Sequence, residues 1–262
     1  FEIAMITDTG TIDDKSFNQG TWEGVEAYAK ANDVTYKYYQ PTEDSTDARL
    51  EQIDLAVTNG AKVIVTPGFL FEEAIYIAQD KYPDVDFVLI DGNPHNADYK
   101  YKTADNAVGI TFAEQQAGYL AGYAVVKDGY TKLGFMGGMA VPAVIRYGYG
   151  FVEGANAAAK ELGIKDVTIK YNYTGSFLAS PAINTAAAAW YSAGTQVIFS
   201  CGGGIFDSIS SAAEAAKTKV IGVDVDQSSQ STSVITSAMK GLGVAVNDEL
   251  TAYYAGTFPG GK

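Results

Sequence analysis

The residues most able to bind a small molecule lie just after the first apolar run of the chain. Residues 3–6 are apolar and predict a buried strand, and the polar loop after them holds Asp8, Asp13 and Asp14. Ser16 predicts the start of a helix, because its hydroxyl can accept a hydrogen bond from a first-turn amide. In open α/β sheets, ligands bind at the carboxyl ends of strands. We therefore predict a ligand site in this loop.

Phe17 is the unusual residue of this loop. A large apolar ring at the mouth of a helix, beside Asp14 and Asn18, is poorly placed for the core and well placed to lie against a flat ligand. The alternative is structural: Phe17 packs against the helix start, and the acids complement the helix dipole. The local pattern by itself slightly favours this alternative.

Carboxylates, small residues and a second isolated phenylalanine recur where later strands are predicted to end. Phe177 could face Phe17 and hold a planar heterocycle by offset stacking, although filling of the core explains Phe177 equally well. An ionised Asp224 accepts hydrogen bonds from hydroxyl groups, and Lys240, at a loop–helix corner, donates them. The residues predicted at the strand ends are Asp8, Gly68, Phe69, Asp91, Asp105, Gly137, Gly138, Phe177, Gly203 and Asp224.

The chain is acidic and carries few arginines. Its 262 residues include 18 Lys plus Arg against 31 Asp plus Glu, a formal net charge of -13. This balance argues against nucleic acid, which requires a basic surface, and against an anionic membrane surface. Arg49 and Arg146 are the only arginines, and bidentate recognition of phosphate usually relies on arginine. A neutral ligand is therefore the better prediction.

Catalytic, metal and cofactor chemistry have little support in the residues. His95 and Cys201 are the single histidine and the single cysteine, so no Cys/His metal cluster can form, and a Ser–His–Asp triad would have to use His95. His95 lies in a turn and is predicted to be solvated. Residues 8–14 lack the glycine spacing of a dinucleotide-binding turn, and no phosphate-binding glycine loop with a lysine occurs. We predict no catalytic residue, no metal and no cofactor.

Strand-like and helix-like segments alternate along nearly the whole chain. This alternation predicts an α/β fold with parallel sheets flanked by helices. Four predicted strands precede a polar interval at residues 95–105, and the same rhythm then starts again. Each half has the length of a typical domain, so two similarly wound lobes are predicted. A single continuous doubly wound domain is nearly as consistent with the residues.

Several motifs together resemble the basic membrane protein family, the substrate-binding lipoproteins of bacterial ABC transporters that include the purine nucleoside receptors. The opening signature is Asp-x-Ser-Phe-Asn at residues 14–18, followed by Trp-Glu-Gly at residues 22–24. Further matching motifs, in order and spacing, are GFMGGMAVP at 134–142, YTGSF at 173–177, GVDVDQ at 222–227 and TSAMK at 236–240. The resemblance covers nearly the whole chain.

The resemblance implies a two-lobe, type I periplasmic-binding-protein fold with the ligand cleft between the lobes. We assign residues 1–104 and 236–262 to the N-terminal lobe and residues 105–235 to the C-terminal lobe. The resemblance further implies a monomer that serves an ABC importer, with an ABC permease as partner. It also implies an extracytoplasmic location, with a lipid anchor on a cysteine upstream of Phe1. We expect both termini of this sequence to be trimmed.

The resemblance also assigns roles within the site. In the purine nucleoside receptors, the residues matching Phe17 and Phe177 sandwich the base, and those matching Asp224 and Lys240 bind ribose. Asp8, Asp14 and Asn18 could form hydrogen bonds with the edge of the base. The residues do not indicate whether adenosine, guanosine or inosine is the preferred ligand. The predicted ligand-binding residues are Asp8, Asp14, Ser16, Phe17, Asn18, Phe69, Asp91, Asp105, Phe177, Gly203, Asp224 and Lys240.

Three other functions are compatible with the residues. A sugar or autoinducer-type binding protein would also use aromatic rings and aspartates. A carboxylate-based nucleoside or glycoside hydrolase could draw its two acids from Asp8, Asp13 and Asp14. An adhesin or interaction role at the cell surface is neither supported nor excluded. Of these classes, a binding protein needs no catalytic group, which agrees with the presence of only one histidine and one cysteine.

Overall fold

The computed structural model describes residues 1–262 and divides them into two compact units. Unit 1 consists of residues 1–111 and 241–262, and unit 2 consists of residues 112–240. Each unit contains one five-stranded sheet in which every pair of neighbouring strands is parallel. The predicted α/β class, with parallel sheets flanked by helices, is confirmed.

Unit 1 builds its sheet from short apolar runs. Its strands are β1 (Ile3–Ile6), β2 (Tyr36–Tyr39), β3 (Val63–Pro67), β4 (Asp86–Ile90) and β5 (Ala107–Ile110), in the order β2-β1-β3-β4-β5. Its helices are α1 (Phe17–Asn32), α2 (Thr46–Thr58), α3 (Glu72–Lys81) and, from the C-terminal segment, α8 (Leu242–Tyr254). All residues of β1 and β3 are buried, as expected for inner strands of a parallel sheet covered on both faces.

Unit 2 repeats this plan. Its strands are β6 (Lys132–Gly137), β7 (Thr168–Tyr173), β8 (Val197–Cys201), β9 (Lys219–Asp224) and β10 (Val234–Met239), in the order β10-β9-β8-β6-β7. Its helices are α4 (Glu114–Lys127), α5 (Pro142–Leu162), α6 (Pro181–Ser192) and α7 (Ile205–Ala216). No helix of the chain combines the length and the apolarity that a membrane span requires.

The boundaries between the units differ from the predicted ones because two strands belong to the other sheet. β5 was assigned to the C-terminal lobe, but it pairs with β4 from Phe87↔Ala107 to Ile90↔Ile110. β10, of which the last four residues were assigned to the N-terminal lobe, pairs with β9 up to Met239↔Asp224. Neither strand carries a local signal for the sheet it joins. The polar interval at residues 95–105 has structure of its own, because His95 and Tyr101 form an antiparallel bridge within it.

Helices α4 and α5 of unit 2 pack at backbone distance through glycines on both helices. A Cβ placed on Gly118 would lie 2.2 Å from the carbonyl oxygen of Tyr147, and one on Gly122 would lie 2.1 Å from that of Phe151. Gly154, on the facing helix, approaches the carbonyl oxygen of Tyr119 in the same way, at 1.9 Å. Any side chain at these positions would force the helices apart.

The Gly122→Ala substitution is therefore expected to lower the free energy of unfolding by about 1–3 kcal/mol, since the added methyl group overpacks a rigid backbone contact. Gly243→Ala in α8 is the matched control, because its added Cβ would meet only the Cα of Gly24, at 3.8 Å. The control should be neutral or slightly stabilising, as alanine is the better helix former. Urea denaturation of both variants measures the difference, and equal stabilities would contradict this packing.

Candidate functional site

Asp8 and Asn18 form two hydrogen bonds with each other at the carboxyl end of β1. The Oδ1 atom of Asp8 accepts hydrogen bonds from the Gly10 amide at 2.7 Å and from Asn18 Nδ2 at 2.7 Å. The Asp8 amide donates to Asn18 Oδ1 at 3.1 Å, which fixes the orientation of the asparagine. Both donors lie on one carboxylate oxygen, so Oδ2 is left for another donor. The structure thus brings these two residues together in unit 1.

The Oδ2 atom of Asp8 and the ring of Phe17 converge on Gly68, the residue that follows β3. A Cβ on Gly68 would lie 3.5 Å from Phe17 Cε1 and 3.6 Å from Asp8 Oδ2. Gly68 has a φ of 111°, which side-chain-bearing residues rarely adopt. Phe17 is half-buried at the first position of α1, so it does not belong to the core. An acceptor and an aromatic ring therefore flank a bare stretch of backbone.

Burial raises the pKa of Asp8 to about 6, against the opposing effect of the hydrogen bonds from Gly10 and Asn18. The neighbouring carboxylate of Asp14 raises it further, and the charge of Arg49 lowers it. Asp8 is therefore mainly ionised at neutral pH and becomes a protonated donor in mild acid. A pKa raised by burial is typical of functional carboxylates.

The start of α1 is capped by Asp14 and not by the hydroxyl of Ser16, as the sequence had suggested. Ser16 occupies the N-cap position, but its side chain makes no capping hydrogen bond. Asp14 Oδ1 accepts from the amides of Ser16 at 2.9 Å and Gln19 at 3.0 Å, while Oδ2 accepts from the amide of Asn18 at 3.0 Å and from its Nδ2 at 2.9 Å. Lys15, with a φ of 56°, turns the chain so that Asp14 reaches the helix end. These four bonds use the acceptor capacity of Asp14, so it positions Asn18 rather than reading a base edge.

Phe69 and Asp91 complete the same edge of the unit 1 sheet. Phe69 is half-buried and opens a 3-10 turn directly after Gly68. Asp91 follows β4 with a φ of 63°, and its amide donates to the carbonyl oxygen of Ile110 at 2.7 Å. A left-handed aspartate costs about 1–3 kcal/mol, and such strain clusters at functional sites. Neighbouring strands β1, β3 and β4 thus bring Asp8, Phe69 and Asp91 to one edge of the sheet.

Asp105 does not belong to this edge. It precedes β5, and the carbonyl oxygen of its neighbour Asn106 accepts from the amide of Phe87 at 2.8 Å, near the beginning of β4. Parallel strands place their beginnings at the opposite edge of the sheet from their ends. Asp105 is also exposed. The prediction that it contributes to the site is wrong, because residues 103–106 lead into a strand and do not follow one.

His95 is buried, contrary to the prediction of a solvated turn residue. It is 5% exposed, and its Nε2 lies 3.0 Å from Glu72 Oε2. Glu72 is also buried, which raises its pKa, and its Oε1 accepts from the amide of Asn93 at 2.8 Å. The ring of Tyr99 stacks on the imidazole at 4.7 Å between centroids. The Glu72–His95 pair supports the loop that follows Asp91. No local pattern in the sequence predicted this pair.

In unit 2, Phe177 lies on the backbone of two glycines at the carboxyl edge of the sheet. A Cβ on Gly138 would lie 2.3 Å from Phe177 Cδ1, and one on Gly202 would lie 3.1 Å from the same atom. The loops after β6, β7 and β8 are joined beneath the ring, where Gly138 donates to Cys201 at 2.9 Å and accepts from Gly175 at 2.9 Å. Phe177 is half-buried and packs only partly on the core. Gly203, with a φ of 51°, lies beside it at the end of β8.

The Gly138→Ala substitution should displace the ring of Phe177 and weaken ligand binding by about tenfold, because the methyl group occupies the position of two ring carbons. The ring is half-exposed and can move, so the free energy of unfolding should change by less than about 1 kcal/mol. Calorimetric titration together with urea denaturation separates the two effects. Unchanged affinity in a folded Gly138→Ala protein would show that the position of this ring is irrelevant to the ligand.

Asp224 ends β9, and Lys240 directly follows β10, the neighbouring strand of the unit 2 sheet. The Lys240 amide donates to the carbonyl oxygen of Asp224 at 2.8 Å, and Asp224 is buried with a φ of 67°. The Lys240 ammonium lies 3.3 Å from Glu114 Oε1, and 5.3 Å and 5.4 Å from the ring centroids of Phe112 and Tyr147. The structure therefore brings Asp224 and Lys240 together at this edge.

Glu114 was not predicted. Its side chain is fully buried at the start of α4 and accepts from Arg146 Nε at 2.5 Å as well as facing Lys240. One signal could have revealed it, because Glu114 is the only charged residue between Asp105 and Lys127. No group of three or more His, Cys, Asp or Glu residues is arranged to hold a metal ion.

Comparisons with known proteins agree with this architecture. The model of the protein family described as ABC transporter substrate-binding protein PnrA-like (Bmp) matches residues 1–262. The chain is 32% identical to the ABC transporter nucleoside-binding protein BmpA of Lactococcus lactis, covering 98% of this chain and 76% of the relative. It is 31% identical to basic membrane protein A of Borreliella burgdorferi, covering 100% of this chain and 75% of the relative.

A solved structure shows the same fold. An ABC transporter solute-binding protein from Aeropyrum pernix superposes with a TM-score of 0.85 at 26% identity, covering 100% of this chain and 72% of that one. A transcriptional activator of the comK gene from Bacillus halodurans shares the fold at 17% identity, with a TM-score of 0.77, covering 98% of this chain and 84% of that one. Periplasmic-binding-protein-like architecture is therefore established for this chain.

Proposed function

Because the chain belongs to the Bmp family of PnrA-like ABC transporter substrate-binding proteins, we propose that its ligand is a purine nucleoside. The chain is a substrate-binding protein and not an enzyme, as its family is. The name of the relative from Lactococcus lactis supports a nucleoside as the ligand class.

The observation that carries the proposal is the convergence of Asp8 Oδ2 and the Phe17 ring on Gly68. A purine offers a flat face and N–H donors on its edge. The face stacks on Phe17, and Asp8 accepts from the edge while Asn18 holds the carboxylate in place. A free sugar has no planar ring and no edge of this kind, so it would leave the phenylalanine uncovered.

Phe177 stacks on the opposite face of the base in this proposal. The glycines beneath it bring the ring onto the backbone of unit 2, which presents it as a flat platform. Stacking on aromatic side chains contributes about 1–3 kcal/mol per base in nucleic-acid binders.

Asp224 and Lys240 hold the ribose. An ionised aspartate accepts from hydroxyl groups and an ammonium donates to them, so two adjacent hydroxyls satisfy both residues. Their backbones are already joined by a hydrogen bond, which places the two side chains at neighbouring strand ends. Asp91 and Gly203 line the remaining edges of the site. The protein acts as a monomer outside the cytoplasm, held by a lipid anchor, and delivers the nucleoside to an ABC permease.

Calorimetric titration with adenosine, guanosine, inosine, uridine, ribose and galactose tests the proposal. Purine nucleosides should bind with micromolar or tighter affinity, about -8 kcal/mol or better. Ribose and galactose should produce no measurable binding, because they cannot cover the aromatic rings. Binding of the free sugars alone would overturn the proposal and place the protein among carbohydrate receptors.

A further inference from the structure

Glu72 and His95 of unit 1 form a buried pair of titratable side chains whose hydrogen bonds have an unusual pattern. The imidazole Nδ1 lies 2.7 Å from the carbonyl oxygen of Asn96, and the imidazole Nε2 lies 3.0 Å from Glu72 Oε2. Both ring nitrogens therefore face oxygen atoms. The other titratable groups in contact with the imidazole are the phenols of Tyr99 and Tyr101, whose ring centroids lie 4.7 Å and 5.2 Å from it.

This pattern requires a proton that the pair shares. A carbonyl oxygen only accepts, so Nδ1 must carry a proton in order to donate to Asn96. A neutral imidazole has one ring proton, so a second proton must lie between Nε2 and the oxygen of Glu72 to join them. This proton belongs either to an imidazolium or to a protonated Glu72, and both forms leave the buried pair without net charge. Burial raises the pKa of Glu72, against the opposing hydrogen bond from the Asn93 amide, which favours retention of the proton.

Glu72 also fixes the loop at residues 91–95, which begins with Asp91. Its Oε1 accepts from the amide of Asn93 at 2.8 Å, and a Cβ on Gly92 would lie only 2.8 Å from Glu72 Cγ. On the other side of the loop, a Cβ on Gly109 in β5 would lie 2.5 Å from Asn93 Oδ1. The loop is therefore held between α3 and β5, and the carboxyl group of Glu72 joins its middle to its end.

We propose that Glu72 and His95 are positioning residues for the ligand site, and that the proton they share keeps the loop of Asp91 in the conformation that binds ligand. This inference rests on the proposed function, which places Asp91 at the edge of the site. Loss of the proton leaves a buried carboxylate facing the lone pair of Nε2, and burial of an uncompensated charge is unfavourable. The loop should then loosen, so ligand affinity should fall as the pH rises.

The stability of the fold should respond to pH in the same direction. Above about pH 7 an unfolded chain holds this proton on neither group, since the ordinary pKa of histidine is about 6.5 and that of glutamate is lower. The folded pair holds one proton more than the unfolded chain in this range. The folding equilibrium constant should therefore fall by up to about tenfold per unit of rising pH, until the folded pair loses its proton.

The Glu72→Gln substitution separates the proton from the hydrogen bonds. Its amide oxygen can accept from Asn93 and its amide nitrogen can donate to Nε2 of His95, so the contacts remain without a dissociable proton. Wild-type affinity for adenosine should fall by about tenfold between about pH 7 and pH 9.5, and that of the variant should stay within about twofold. Adenosine is used in this calorimetric titration because its base keeps one protonation state over this range.

Glu73→Gln is the matched control for this titration. Glu73 is the next residue of α3, is half-buried, and accepts from Thr46 Oγ1 at 3.0 Å, away from the loop of Asp91. The control removes the same charge from the chain, so it should keep the wild-type dependence on pH. A wild-type affinity that does not change with pH, or a folded Glu72→Gln protein that shows the wild-type fall, would overturn the inference.

Nuclear magnetic resonance of ¹⁵N-labelled wild type without ligand detects the proton directly, because His95 is the single histidine of the chain. At pH 7.5 we expect a protonated Nδ1 and a hydrogen-bonded Nε2. As the pH rises, the signals of Nε2 and of the Asn93 amide should change together in wild type, and they should stay fixed in Glu72→Gln. A bare Nδ1 at pH 7.5, or signals of Nε2 and Asn93 that change at different pH values, would overturn the inference even if the variant does not fold.

Failure of the inference and failure of the proposed function give different results. If purine nucleosides do not bind wild type at any pH, the proposed function is wrong and so is the role of the pair in ligand binding. The resonance measurement needs no ligand and still decides whether Glu72 and His95 share a proton. Binding that is tight at every pH would leave the proposed function intact and contradict only the role of the pair.

Discussion

Replacing Phe17 or Phe177 with alanine should weaken purine nucleoside binding by about 10- to 100-fold each, since stacking on an aromatic ring contributes about 1–3 kcal/mol per base. Both rings are half-buried and lie outside the fully buried core, so the free energy of unfolding should change little. Calorimetric titration with inosine measures the affinity, and urea denaturation measures the stability. The double variant should lose nearly all detectable binding.

Leu178→Ala is the matched control for Phe177. Leu178 is the next residue of the same loop and is 54% exposed, so its removal should leave the affinity unchanged. A Phe17→Ala protein that unfolds easily but keeps its ligand affinity would support the structural alternative, in which this ring only packs the start of α1. The same result for Phe177 would reassign it to the core.

The Asp8→Asn substitution should weaken nucleoside binding by about 100-fold, because a charge-assisted hydrogen bond is lost and an amide donor replaces the acceptor that faces the base edge. The new side chain can still accept from Gly10 and Asn18 through its Oδ1, so the loop should keep its conformation. Asp13→Asn is the control from the same loop, since Asp13 is exposed. Equal affinities of Asp8→Asn and wild type would exclude Asp8 from the site.

The pKa of Asp8 adds a dependence on pH to this prediction. The pKa of Asp8 is about 6 in the folded protein and 3.8 in the unfolded chain, so folding disfavours the ionised carboxylate. The free energy of unfolding is therefore lowest above pH 6 and rises as the pH falls from 6 toward 3.8. Asp8→Asn should therefore raise the free energy of unfolding at pH 7.5 by about 1–3 kcal/mol, with no gain below pH 3.8. Wild-type affinity should fall as Asp8 is protonated, and the variant should show no such fall.

Local features of the chain predicted much of this structure. The alternation of apolar and helical segments identified the parallel α/β class, and the spacing of Asp8, Phe17 and Asn18 around one loop placed them at one edge of a sheet. These predictions succeeded because each depends on residues close in sequence. The two phenylalanines were singled out for the same reason, since a lone large ring at a strand end is visible locally.

Strand pairings and side-chain contacts between residues far apart in the chain could not be predicted from local sequence patterns. The sheet that a short strand such as β5 joins is decided by pairing with a distant strand, so the boundary between the units was misplaced and Asp105 was put at the wrong edge. The pairing of Glu114 with Lys240 and of Glu72 with His95 joins residues from separate elements. Such buried contacts are specified by the fold as a whole.

The measurement that tests the central claim most directly is a crystal structure of the protein grown with inosine. The account predicts that the purine lies between the rings of Phe17 and Phe177, with ring centroids about 4.5–7 Å apart on each side, and that the ribose contacts Asp224 and Lys240. A purine bound away from both rings would contradict the account.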